Sequence, residues 1–142
     1  MVVGSWWYGE KSELSTTTGR MRKSYRDLEV WRLGLELVET IYRCTSEFPE
    51  NEIYGLAAQM RRAAVSIPSN IAEGQARSSS KEFLHFLSFS LGSLAELVTQ
   101  LELASRLGYM DTNAPLAQAE LVGKKLHCLR TSIRERLPTT NN

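Results

Sequence analysis

The side chains that could do chemistry here are few, and their spacing decides most cases against it. Glu82-Phe83-Leu84-His85 is a Glu-x-x-His motif of the kind that helps hold carboxylate-bridged metal pairs inside helical bundles. Such a centre needs two of these motifs and two further glutamates aimed inward. This chain has one, and both its polar residues project away from the Phe83/Leu87/Leu94 face. The other histidine, His127, has Lys124 three residues before it, so no metal ligand set is expected. Cys44 and Cys128 make no CxxC spacing and sit beside apolar stripes, which suits small buried thiols in a reducing compartment. There is no glycine-rich phosphate loop, nucleophile elbow or HExxH. The expectation is a protein that is not an enzyme and carries no cofactor.

Positive charge is the remaining candidate chemistry. Arg20, Arg22, Lys23 and Arg26 cluster before the first helical pattern, and Lys124, Lys125, Arg130, Arg134 and Arg136 lie along the last. These cations either offset the dipole at the end of the last helix or contact nucleic-acid phosphates. Lys plus Arg number 17 against 16 Asp plus Glu, a net charge of +1. Nucleic-acid binding through the overall field is thus excluded, leaving a local patch or an oligomer that gathers patches.

The elements that position these residues follow from the apolar period. With 142 residues, 42% hydrophobic and 23% charged, the chain suits one globular domain. Residues 1–23 keep no period and are expected to be a flexible extension, with Trp6, Trp7 and Tyr8 either docking on a neighbour or standing as an incidental apolar spot. No stretch approaches the ~18 apolar residues of a membrane span, and no secretory leader is evident, so the expected setting is the cytoplasm.

Ser24, with Asp27 three residues on, caps a first helix running to about Phe48. Leu28, Trp31, Leu35, Val38 and Tyr42 form one stripe; Val30, Gly34, Leu37, Ile41, Cys44 and Phe48 form a second. Together they cover about 200° of the helix, where a surface helix needs ~100°. Two packing partners are implied, the core and a second subunit, with Val30, Leu37 and Ile41 as interface candidates. A second helix starts near Ile53 and carries Ile53, Ala57, Met60, Ala64, Ile67 and Ile71 at three- and four-residue steps. Pro68 either kinks it, since the period continues to Ile71, or breaks it, with Asn70 and Glu73 capping a new helix. Gly74 reads as its C-cap.

Ser79 and Glu82 form a capping box for a third helix, which ends at Leu107 before Gly108. On it Phe86 and Phe89 lie at the edge of the core face, as subunit contacts or as bundle-edge packing. A turn over residues 111–115 opens a fourth helix with Ala119, Val122, Leu126, Leu129 and Ile133, running to about Leu137. The predicted fold is all-α: an antiparallel up-down-up-down four-helix bundle over 24–138, helix 2 kinked at Pro68, with a polar tail at 139–142.

The stretches YRDLEVW (Tyr25–Trp31), YGLAAQMRRAAVSIPSNIAEGQAR (Tyr54–Arg77) and KEFLHFLSFSLGSLAELVTQLELASRLGYM (Lys81–Met110) resemble the four-helix bundle proteins encoded in 23S rRNA intervening sequences. The chain departs from them at Gln75-Ala76, where that family often has an aromatic and a glycine. The resemblance implies a ring-like homopentamer of antiparallel bundles and no catalytic residues. That family is also similar to the accessory variability proteins of diversity-generating retroelements, which bind nucleic acid and a reverse transcriptase. The expected partners are therefore a second copy of the chain and RNA or DNA, with a protein-partner scaffold as the alternative, and no membrane.

Overall fold

Four helices carry the described residues, 24–139, of the computed structural model: α1 Glu29–Thr45, α2 Leu56–Gln75, α3 Ser80–Arg106 and α4 Asn113–Glu135. Each packs on its neighbours in chain order, α1 also packs on α4, and no diagonal pair touches. The contacts run antiparallel. Gly34 of α1 faces Pro68 of α2 while Thr45 meets Arg61, and Ile67 of α2 faces Ser90 of α3 while Gly74 meets Phe83 and Phe86. The core at the centre of this square is built from Leu37, Ile41, Met60, Ile67, Ile71, Leu87, Leu97, Leu101 and Leu126, all without solvent exposure.

α1 starts later than its cap signal. Ser24 does accept a hydrogen bond, from the Arg26 N–H at 3.3 Å, but it caps a single 3-10 turn, Tyr25–Asp27. Leu28 is extended, and the Tyr25 ring folds back edge-on to Trp31, centroids 5.2 Å apart. At the far end Thr45 and Ser46 turn their hydroxyls onto the Ile41 and Arg43 carbonyls at 2.7 and 2.6 Å. These side chains compete for the last carbonyls and close the helix. Phe48 still reaches the core, but from the turn.

The two stripes of α1 have different fates. Val30, Gly34, Leu37 and Ile41 face the bundle's own core, so Val30, Leu37 and Ile41 are corrected from subunit contacts to core residues. It is the other stripe that remains open, with Leu35 37% and Tyr42 46% exposed.

α2 begins at Leu56, three residues after the expected start, because Glu52 caps it: one carboxylate oxygen accepts the Leu56 N–H at 2.9 Å. Ile53 consequently lies outside the core, half exposed. The helix then runs unbroken through Pro68, which is buried against α1. A Cβ on Gly34 would stand 3.4 Å from the Pro68 Cβ, an ordinary contact, so the ring packs on the glycine's face of α1. Asn70 caps nothing; its amide donates back to the Ser66 carbonyl at 2.8 Å within the same helix.

Gly74 is also corrected. It is buried inside the last turn of α2, and the helix ends on Ala76 with an ordinary φ of −75°. Packing explains the glycine: a Cβ there would come within 2.7 Å of the Phe86 Cβ and 2.8 Å of a Phe83 ring carbon. The left-handed glycine among the described residues is Gly108, φ +74°. With it the Tyr109 N–H reaches the Ala104 carbonyl and the Gly108 N–H the Ser105 carbonyl, each at 3.0 Å, a Schellman end to α3. The other α3 cap is as expected: Ser79 Oγ accepts the Glu82 N–H at 3.1 Å. α4 opens with Asp111 accepting the Asn113 N–H at 3.0 Å.

One turn contact is sensitive to pH. The Tyr109 hydroxyl donates to the second Glu52 oxygen at 3.3 Å, its ring lying 5.3 Å from Phe48. Desolvation, then the charge and hydrogen bond of Glu52, raise the phenol above its ordinary 10.0. The folded state thus favours the protonated phenol, and its stabilising contribution is present below about pH 10 and lost as pH rises further. Unfolding midpoints measured from pH 8 to 11 should fall at the alkaline end, and less so in Tyr109→Phe; identical curves would refute the linkage.

Candidate nucleic-acid interface

Arg20, Arg22 and Lys23 lie outside the described residues. Arg26 sits in the turn before α1, and the α4 cations follow the helix period to different sides. Lys125 crosses to α1, its ammonium 3.1 Å from Glu29. At ~100° per residue Arg136 falls within about 20° of Lys125 and Arg134 within about 40° of Arg130, the two pairs about 140° apart. Lys125 and Arg136 therefore flank α1, while Arg130 and Arg134 flank α3. Lys124 points outward and pairs with Glu120 at 3.7 Å. The expected cluster is divided over two flanks of one helix.

The register displaces it along the axis as well. The Lys125–Glu29 contact sets the start of α1 level with the middle of α4, so Arg134 and Arg136 stand about 14 and 16 Å further along. Both are exposed and form no ion pair among the described residues. Arg130 donates to His127 Nδ1 at 3.1 Å; a guanidinium has no acceptor, so this contact requires that nitrogen to be unprotonated.

Two further cations join them through the fold. Arg77 and Lys81 flank the α2–α3 turn, which the antiparallel packing places at the same end as the C-terminus of α4. Arg77 pairs with Glu73 at 3.0 Å and lies over the Phe86 ring at 4.8 Å. This end thus presents Arg26, Arg77, Lys81, Lys125, Arg130, Arg134 and Arg136 around Glu29, Glu73, Glu82 and Glu135. The opposite end gathers Glu47, Glu50, Glu52, Glu102 and Asp111 around Arg43, Arg61 and Arg106. A linear reading of charge clusters passes over Arg77 and Lys81, because each is a lone cation beside a carboxylate until the turn brings them to this end.

The sides of the bundle are apolar in two places. On the α1/α2 side Leu35, Tyr42 and Val65 are exposed, with Arg61 stacked 4.8 Å above Tyr42 and donating to Thr45 Oγ1 at 2.9 Å. On the α3/α4 side an open groove of about 710 Å³ is lined by Leu91, Val98, Leu116, Ala119 and Gly123, with Glu120 and His127 at its rim. Phe86 and Phe89 belong to neither. Phe86 is half-buried over Gly74, and Phe89, 48% exposed, lies on the α2/α3 side with the His85 ring edge-on at 4.5 Å.

The remaining chemistry is sparse. Cys128 is exposed, contrary to the expected burial, and half-buried Cys44 has its thiol raised by desolvation. Among the described residues no three His, Cys, Asp or Glu side chains gather as a metal-holding group, and no helix is long and apolar enough to cross a membrane.

No curated protein matches the chain. A protein of unknown function from the S23 ribosomal protein family of Bacteroides thetaiotaomicron superposes on it with a TM-score of 0.55. The two are 23% identical, over 78% of this chain and 99% of that one, a likeness of fold. The decisive match is to a family model covering residues 26–127, nearly the whole bundle: the chain belongs to the 23S rRNA-intervening sequence protein family.

Proposed function

We propose that the protein is a non-catalytic homo-oligomer that holds RNA or DNA by its phosphates at the basic end of the bundle. The observation that carries this reading is the segregation of charge along the axis. A net charge of +1 argues against binding only if the charge is evenly spread, and here carboxylates outnumber cations at one end and cations outnumber carboxylates at the other. Phosphate contacts supply sequence-independent affinity, and assembly multiplies them per binding surface.

The assembly rests on the two apolar sides. The α1/α2 and α3/α4 sides are opposite in a square bundle without diagonal contacts. Through the Gly34–Pro68 and Ile67–Ser90 contacts, Leu35 and Val65 stand at the axial level of Leu91 and Leu94. Docking one side of a copy into the groove of the next makes a head-to-tail contact that repeats; with a constant turn per copy it closes into a ring, of five members in the resemblance. All basic ends then share one rim of the ring.

Sedimentation of the full chain should give a mass well above the 16.0 kDa protomer. Val98→Asp, which puts a charge in the groove, should return it toward the protomer. Binding of a structured RNA should weaken steeply with salt. No binding at low salt would sink the nucleic-acid reading and favour the protein-partner scaffold, for which the α3/α4 groove would be the docking surface.

A further inference from the structure

The α2/α3 side, left uncovered by the proposed assembly, carries a polar cleft. On α3, Phe89, Ser93, Glu96 and Gln100 recur at steps of four, three and four, one stripe of a helix. Gln59, Arg62, Ser66 and Asn70 form the facing stripe on α2, and the Ser66–Ser93 hydroxyl contact at 2.7 Å fixes their register. Antiparallel packing then brings Gln59 and Arg62 to the level of Glu96 and Gln100. Between them lies a cleft of about 440 Å³, within the ~300–1,000 Å³ of small-molecule sites.

The cleft holds unspent hydrogen-bonding capacity of both signs. Glu96 lines it as an exposed carboxylate, steadied from behind by the buried Gln100 amide, which donates to it at 3.2 Å. The Ser66–Ser93 contact uses one of two hydroxyl protons, and Asn70 also donates to Ser66 at 3.0 Å, so one O–H is left to give. Arg62 lines the cleft with no ion-pair partner among the described residues. A ligand that fits must therefore offer adjacent donors to Glu96 and acceptors to Arg62.

We propose that this cleft takes a guanine base, through the Glu96 carboxylate and the Arg62 guanidinium; the inference rests on the nucleic-acid reading and names what the bound strand presents. Guanine's N1–H and N2 amino group form the neighbouring donor pair a carboxylate accepts, and its O6 and N7 form the acceptor pair a guanidinium forks onto. Adenine turns its N1 lone pair toward Glu96 and is repelled. One helical turn from Ser93, the exposed Phe89 ring, braced by His85, offers a stacking surface for the next base.

The test uses the full chain with the four ribonucleoside monophosphates, by calorimetric titration, and poly-uridine RNA for the basic end. Guanosine monophosphate should bind about tenfold tighter than adenosine monophosphate, from one bidentate reading. Glu96→Gln, an exposed substitution, should erase that preference, and Arg62→Ala should weaken guanosine monophosphate, both leaving the salt dependence of poly-uridine binding intact. Equal binding of all four, no binding, or a preference surviving Glu96→Gln overturns the proposal. A guanine preference without poly-uridine binding would keep the cleft and sink the phosphate-binding end.

Discussion

Reversing Arg134 and Arg136 together, to glutamate, is expected to reduce RNA affinity by one to two orders of magnitude at low salt. It should also flatten the salt dependence. Each phosphate contact contributes about 0.7–0.9 to the slope of log affinity against log salt, so losing two removes roughly 1.5 from it. An oligomer presents the pair once per copy, so a strand spanning several copies loses more. The fold should tolerate the change, since both side chains are exposed and neither makes an ion pair among the described residues. Negative charge at a helix C-terminus does cost about 0.3–1 kcal/mol through the dipole, so Arg134→Gln with Arg136→Gln is the matched neutral variant. It should lose the same slope with less loss of affinity. Lys124→Glu removes only the solvent-exposed pair with Glu120, far back along α4, and should change little. Filter binding of one structured RNA from 20 to 300 mM salt separates these outcomes. Unchanged affinity and slope in the double reversal would refute phosphate binding at this end.

Gly74→Ala is expected to destabilise the bundle by about 1–3 kcal/mol, the usual cost of overpacking a filled core. That direction opposes helix propensity, which favours alanine over glycine by about 1 kcal/mol. Sterics win because the added methyl would meet the Phe86 Cβ at 2.7 Å, an atom anchored to the α3 backbone that no rotamer can withdraw. Relief requires α2 and α3 to separate at their turn, which would move Arg77 and Lys81. Gly34→Ala is the informative comparison. Its methyl would meet Pro68 at 3.4 Å, close to ordinary contact, so the propensity gain should leave it neutral or stabilising. Urea unfolding at equal protein concentration, needed because assembly adds to apparent stability, would give the ranking Gly34→Ala, wild type, Gly74→Ala. A Gly74→Ala protein as stable as wild type would show that the α2–α3 approach is looser than its contacts imply.

The α2 stretch beneath these contacts, part of the resemblance, serves packing. In Ser66-Ile67-Pro68-Ser69-Asn70 the chemistry is structural. The Ile67 carbonyl accepts from the buried Ser90 hydroxyl at 2.9 Å, Ser66 meets Ser93, and Pro68 fits over Gly34. The Ser90-Leu91-Gly92-Ser93 stretch of α3 is therefore the partner of the α2 motif, and together they hold the hairpin that brings Arg77 and Lys81 to the basic end.

Four helices, the Ser79 cap and most core residues of α2, α3 and α4 were legible from the sequence, because apolar period and capping chemistry act within one or two turns of chain. Ile53, Val98 and Ser105 fit the same period yet stand exposed. The ends of α1 and α2 were not, since Tyr25 folding onto Trp31 and Glu52 capping Leu56 are choices between competing local partners. Nor could periodicity say which α1 stripe faces inward. Both are apolar, and only the packing of α1 against α2 and α4 decides the rotation of the helix, burying Leu37 and Ile41 and exposing Tyr42. Gly74 carries the same lesson: a glycine before a turn signals freedom of φ, yet here the need is space for two phenylalanines on another helix. For charge, sequence alone determined the near-neutral total and the cationic run on α4. Its division over two flanks, its reinforcement by Arg77 and Lys81, and the facing of Arg62 with Glu96 were decided only by tertiary packing, because antiparallel register joins residues that lie far apart in the chain.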